Sequence, residues 1–204
     1  MNKILVFLLI ITYSCSSDNQ SVISHSDKVP DYSEIRKKHT QYVLTHNKSA
    51  LKESYSLLKK NSDFKTNGLS DSNKDLVLPI YMELKKYDDL LDLIHESRNL
   101  NEYHKTFYDN YITYLKFRCI EGEKATFYIE KNLSLIKEKI KSSPNDSSLL
   151  VDYFFNKVLI TNVDSLHLEI DSMKKNRVGI SSEFYDHVLK ESIREFSIQI
   201  PDCP

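Results

Sequence analysis

The chain is poor in glycine, proline and tryptophan: its 204 residues include 3 Gly, 5 Pro and no Trp. At average usage a chain of this length carries about 14 Gly. Left-handed turns are therefore scarce, which disfavours hairpin-rich β folds and glycine-built phosphate loops. Charge of one sign is also missing, since 28 Lys and Arg face 29 Asp and Glu for a formal net charge of −1. A basic surface of the kind that neutralises nucleic-acid phosphates is not expected. No apolar run approaches the roughly 20 residues a membrane-spanning helix needs. What is present, 40% hydrophobic and 28% charged residues, is the composition of an ordinary globular protein.

The longest apolar run covers residues 4–11, behind Lys3 and ahead of Thr12, Tyr13, Ser14 and Cys15. A cation, a short apolar core and a small residue make the three-part layout of a targeting peptide. With Ser14-Cys15 at its end, the layout resembles a bacterial lipoprotein signal. The resemblance implies removal of residues 1–14, lipid attachment at Cys15 and anchoring to a cell envelope. Ser16, where an Asp favours the inner membrane, implies the outer membrane. Residues 15–30 continue as a polar stretch without periodicity, expected to be a flexible tether.

From residue 31 onward, apolar residues recur at intervals of three and four, the spacing of one helix face. The expected helices begin with 32–45, opened by a capping box from Asp31 to Glu34, and a second after Asn47. Residues 61–71 read as a loop, and the next helix carries Pro79, which should kink or interrupt it. Another follows over 87–97. Asn99 and Glu102 then open a helix to about Ile120, broken by Gly122, and a long one, with Phe127, Ile129, Leu133, Ile136 and Ile140 as its apolar residues, runs over 123–141 to Ser143-Pro144. Asp146 starts the next, Thr161 to Asp164 caps another, and Gly179 ends it. A last helix carries Phe184, Val188, Ile193 and Phe196, leaving 197–204 as an extended tail. About nine helices result. Every second one begins near 47, 87, 123 and 163, a return of about 36–40 residues. The expected fold is all-α, an array of antiparallel helical hairpins over 31–196, with an irregular helical bundle as the alternative.

Two stretches carry a resemblance. Residues 83–94, running from Glu83 through Tyr87 into Leu90, Leu91 and Ile94, look like the middle of a tetratricopeptide repeat. Residues 139–146, with Ile140, Pro144 and Asp146, look like its end. The resemblance implies a solenoid in which each hairpin covers its neighbour's apolar face. The small positions where such helices approach hold Leu90 and Asn132 instead.

Catalytic and metal signatures are weak. Asp92 with His95, and Asp164 with His167, share helical faces. Both acids are Asp, though, and no inward glutamates accompany them as in carboxylate-bridged metal bundles. His39 and His46 lie on an otherwise basic face that should be solvated. Cys119, flanked by Arg118 and Ile120, reads as a buried thiol within a helix, and no Gly-x-Ser-x-Gly occurs. No metal, no cofactor and no enzymatic activity are therefore expected. A disulfide joining Cys119 to Cys203 is the alternative for those thiols; it would close a loop of about 85 residues.

Thirteen Tyr and nine Phe are the stronger anomaly. Tyr103, Phe107, Tyr111, Tyr114 and Leu115 form a stripe expected to fill the core. Tyr108 and Phe117 fall off it. Together with Tyr128 and the cations Lys105, Lys116 and Arg118, they are the residues expected to hold a partner. The sequence thus points to an envelope lipoprotein that binds a protein or peptide without catalysis, as an assembly adaptor or a toxin-immunity factor. The alternative is a small-molecule or glycan binder with a pocket between helices.

Overall fold

The computed structural model describes residues 32–176 and 179–199. The signal, Cys15, the tether, Asp31 and Cys203 lie outside the described residues. Within them the chain is all-helical, with ten α-helices, one π-helical turn and a single parallel bridge between Ser70 and Asn99. It divides into two compact units, up to Asp109 and from Asn110.

The first unit opens with α1 (Ser33–Thr45) and α2 (Lys48–Lys60), packed on each other. Asn47 caps α2 by accepting from the Ser49 amide at 2.9 Å. The N-cap of α1 is Tyr32, which makes no side-chain cap. The stretch expected to be a loop contains α3 (Ser62–Asn67). Asn61 Oδ1 accepts from the Phe64 amide at 2.9 Å, and Phe64 is buried, so one cap and one anchor suffice for a helix shorter than periodicity can reveal.

Helix α4 (Lys74–Glu83) runs through Pro79 without interruption. A proline in a helix interior costs about 3 kcal/mol. Leu76, Val77, Leu78, Ile80 and Tyr81 are all buried here, and each such side chain returns roughly 1.5–3 kcal/mol, so packing decides. Helix α5 (Tyr87–Glu96) packs on α4, and Leu90 at its supposed small position is fully buried.

Helix α6 (Glu102–Phe117) contains the division between units. Its cap is Asn101, whose Oδ1 accepts from the His104 amide at 2.9 Å, and not Asn99. Its buried face is Asn110, Ile112, Thr113 and Tyr114. Of the expected aromatic stripe only Tyr114 is buried; Tyr103, Phe107 and Tyr111 are half-exposed.

The second unit continues with α7 (Gly122–Ser142) and α8 (Ser147–Lys157), packed together, then α9 (Val163–Asn176). Asp146 caps α8 through the Ser148 and Leu149 amides, and Asn162, not Thr161, caps α9 through the Ser165 amide. The final helix contains a π-helical turn, Phe184–Leu189, and continues as α10 (Lys190–Gln199), so residues 197–199 are helical rather than part of an extended tail. Tyr185 and Leu189, not Phe184 and Val188, are buried in line with Ile193 and Phe196, at intervals of four, four and three that keep them on one helical face.

Scarce glycine leaves a mark on the helix ends. Gly68 and Gly179 follow helices at φ 65° and 111°, but His46 and Lys85 hold comparable left-handed positions at φ 55° without being glycine. Gly179 is favoured chiefly by its backbone angle, since a Cβ there would meet only the exposed Asn145 side chain, at 3.0 Å, which can shift aside.

Candidate functional site

Helix α7 buries Ala125, Ile129, Asn132, Leu133, Ile136 and Ile140, a stripe at three and four. Phe127 sits off that stripe, which leaves its ring 52% exposed, whereas the sequence pattern placed it in the core. Lys131, one turn on, holds its ammonium 4.5 Å from the Phe127 ring centre and 5.4 Å from that of Tyr128. Phe127 and Tyr128 meet edge to face at 5.6 Å. Lys124 lies 3.6 Å over the half-buried ring of Phe117, and Lys116 is 5.5 Å from it. In the turn before α7, Ile120 is 77% exposed. The second unit therefore carries an aromatic face topped by lysines, each cation–π contact worth about 0.5–1 kcal/mol at the surface. Lys124 also pairs with Glu121 at 3.5 Å.

The expected partner-binding residues divide between the units. Phe117, Lys116 and Tyr128 belong to this face or border it. Arg118 is engaged with the Tyr114 hydroxyl, whose pKa burial raises and Arg118 lowers in part. Tyr108 and Lys105 lie in the first unit. There Tyr108 stacks at 5.9 Å against His104, and Lys105 donates to the Ser97 carbonyl at 3.4 Å. Phe127, Lys124 and Lys131 were missed because a periodic apolar residue was assigned to the core. The register of Ala125, Ile129 and Asn132 is the signal that excludes Phe127 from it.

Two histidines pair with acids of other segments: His95 Nε2 meets Asp109 at 2.7 Å, and His104 Nδ1 meets Asp71 at 2.5 Å. Asp71 also accepts from the Asn101 amide and side chain at 3.2 and 3.0 Å. Burial opposes ionisation of Asp71, yet His104, Lys74 and Asn101 together hold its pKa below the usual value. His39 is 3% exposed, not solvated, and burial pushes its pKa down to about 4. Among the described residues no group of His, Cys, Asp and Glu is arranged to hold a metal ion.

Cys119 lies exposed in the turn after α6 and is disulfide-bonded, not a buried thiol. Both other cysteines fall outside the described residues. No described helix is long and apolar enough to cross a membrane. No protein-family model, curated protein or solved structure matches the chain.

Proposed function

We propose that this chain is an extracytoplasmic lipoprotein, anchored through Cys15 at the outer membrane, whose tetratricopeptide-like hairpins form a non-catalytic module for binding a protein or peptide. The observation that carries this reading is the Phe127 ring, left 52% exposed on α7 in edge-to-face contact with Tyr128 and covered by Lys131. Exposed aromatics grouped on one face are what interface anchors look like before a partner covers them. Lys124 and Lys131, already drawn over the rings, supply the cationic rim for acidic groups of the partner. The disulfide at Cys119 supports the compartment, because such bonds persist outside the cytosol. Residues 15–30 supply the tether that lets the module reach its partner. Both adaptor and immunity roles use this chemistry, and the identity of the partner separates them: one enzymatic toxin, or several envelope proteins.

Cross-linked capture from the native envelope tests the reading. The wild-type chain recovers a partner, and Phe127→Ser, which removes an exposed ring, recovers it at least about tenfold less well. Equal recovery by the variant, or no partner at all, overturns it. Intact-mass measurement checks the anchor, since the mature chain begins at a lipid-bearing Cys15. Alkylation without reductant leaves both Cys119 and Cys203 unlabelled if they pair with each other.

The alternative, a small-molecule binder, is favoured by a separate feature of the first unit.

A further inference from the structure

A cleft of about 430 Å3 opens in the first unit where the ends of α2, α3 and α5 converge. Its volume lies within the roughly 300–1,000 Å3 of small-ligand sites. Lys59, Lys65 and Arg98 line it against a single acid, Glu96, with Leu93 and Phe64 as its apolar part. Three helix C-termini direct carbonyls toward this region, and that field accounts for lysines in the last turns of α2 and α3. Arg98 directly follows Ser97, the C-cap of α5, and is favoured by the same field, so the three cations outnumber the one acid around the cleft.

The rim is fixed before any ligand arrives. Ser97 Oγ donates to the Leu69 carbonyl at 2.6 Å, Asn99 Nδ2 to the Asn67 carbonyl at 3.3 Å, and the Asp71 amide to the Asn99 carbonyl at 3.2 Å. With the Ser70–Asn99 bridge, these bonds stitch the 67–71 loop to the 97–99 loop. Lys59 is held over Tyr55 and Tyr81, at 5.8 and 5.6 Å from the ring centres. Lys65 and Arg98 are different: among the described residues neither makes an ion pair or a side-chain hydrogen bond. A preformed cleft with two unspent cations, one of them a guanidinium able to bind in a fork, matches the geometry of an oxyanion.

We propose that this cleft binds a small organic oxyanion, a carboxylate or a phosphate ester, with Arg98 and Lys65 on the charged group and Leu93 against its apolar portion. The site is independent of the aromatic face of the second unit. It deepens the small-molecule reading by naming the ligand class.

Titration calorimetry on the full chain tests it with three probes of similar size: phenylacetate, phenyl phosphate and uncharged benzyl alcohol. The expected result is millimolar or tighter binding of at least one anion and none of the alcohol. Preference for phenylacetate identifies a carboxylate site, and preference for phenyl phosphate identifies a phosphate site. Arg98→Met weakens that binding by about tenfold or more, equivalent to ~1.4 kcal/mol, while Arg98→Lys retains part of it. Both variants melt as the wild type does, because Arg98 is exposed. Phe127→Ser leaves probe binding unchanged, so the two readings fail separately. Binding of neither anion, equal binding of the alcohol, or anion binding that survives Arg98→Met combined with Lys65→Met overturns the proposal.

Discussion

The two units solve the same problem, fixing packed helices and their loops in register, by opposite placements of polar groups. In the second unit the device is buried: Asn110 Nδ2 donates to Asn132 Oδ1 at 3.0 Å, and Asn132 Nδ2 donates to Asn156 Oδ1 at 3.2 Å. Asn156 Nδ2 completes the chain on the Asp152 carbonyl at 2.8 Å. One asparagine each from α6, α7 and α8 thus ties three successive helices through their core. In the first unit the device sits near the surface, where Asp71, His104, Asn101 and Asn99 join loops. A buried amide ladder tolerates no slip, since any displacement strands a desolvated donor or acceptor. Bonds near the surface hold the loops in place as well, but water can replace a partner that a substitution removes.

Breaking the ladder gives the largest expected effect. Asn132→Ala leaves Asn110 Nδ2 and Asn156 Oδ1 without these partners in the core, at about 1–3 kcal/mol each. Urea unfolding should show a loss of roughly 2–5 kcal/mol from the pair. An Asn132→Ala loss below about 1 kcal/mol would mean that water or relaxation replaces the ladder.

The pH response sharpens the contrast, because His39 in the first unit and Asp152 in the second are shifted so that stability changes with pH in opposite directions. His39 in the first unit has its pKa lowered from 6.5 to about 4 by burial. Its stabilising contribution is complete above its unfolded value and disappears as pH falls from 6.5 to 4, a change of roughly 3 kcal/mol. Asp152 in the second unit is raised from 3.8 to about 7 by burial and then by the charge of Asp146. Its contribution is complete at low pH and is lost as pH rises through that window. The stability difference between wild type and His39→Leu should therefore shrink toward acid, and Asp152→Asn should stabilise the chain at pH above about 7. Parallel pH profiles for wild type and both variants would remove the distinction between the units.

A smaller effect is expected from the first unit's polar device. Asp71→Ala removes a half-exposed carboxylate with four partners and should cost about 1–2 kcal/mol, less than Asn132→Ala, by the same urea measurement. The smallest effect is a gain. Lys85 is exposed at φ 55°, so Lys85→Gly should stabilise the chain by about 0.5–1 kcal/mol. A melting temperature unchanged or lowered by Lys85→Gly would show that no strain was relieved.

Caps were legible to within a residue or two. Asn47 and Asp146 stand where the pattern put them and Asn101 and Asn162 lie one or two residues from Asn99 and Thr161, because a cap is a bond between neighbours in the chain. Faces were legible where charge marked the outside, as on α7, and illegible where Tyr occupied both sides, as on α6. The candidate sites were read less well. Phe117, Lys116 and Tyr128 stand out in the sequence by their aromatic and basic character, whereas Phe127 falls within the apolar pattern of its helix and reads as core. The cleft residues Lys65 and Arg98 are about 30 positions apart and signal nothing in sequence.

What the sequence determined by itself is the all-helical class, the short connections and the expectation of an envelope anchor, all of which rest on interactions within a few residues. Few glycines and a three-to-four apolar period leave little else to build. Only the tertiary structure decided that Pro79 stays inside a helix, that Tyr185 and Leu189 turn inward in the last one, and that Asn110, Asn132 and Asn156 share one ladder. These outcomes depend on burial and on pairing between distant segments, whose energies exceed the local preferences they override.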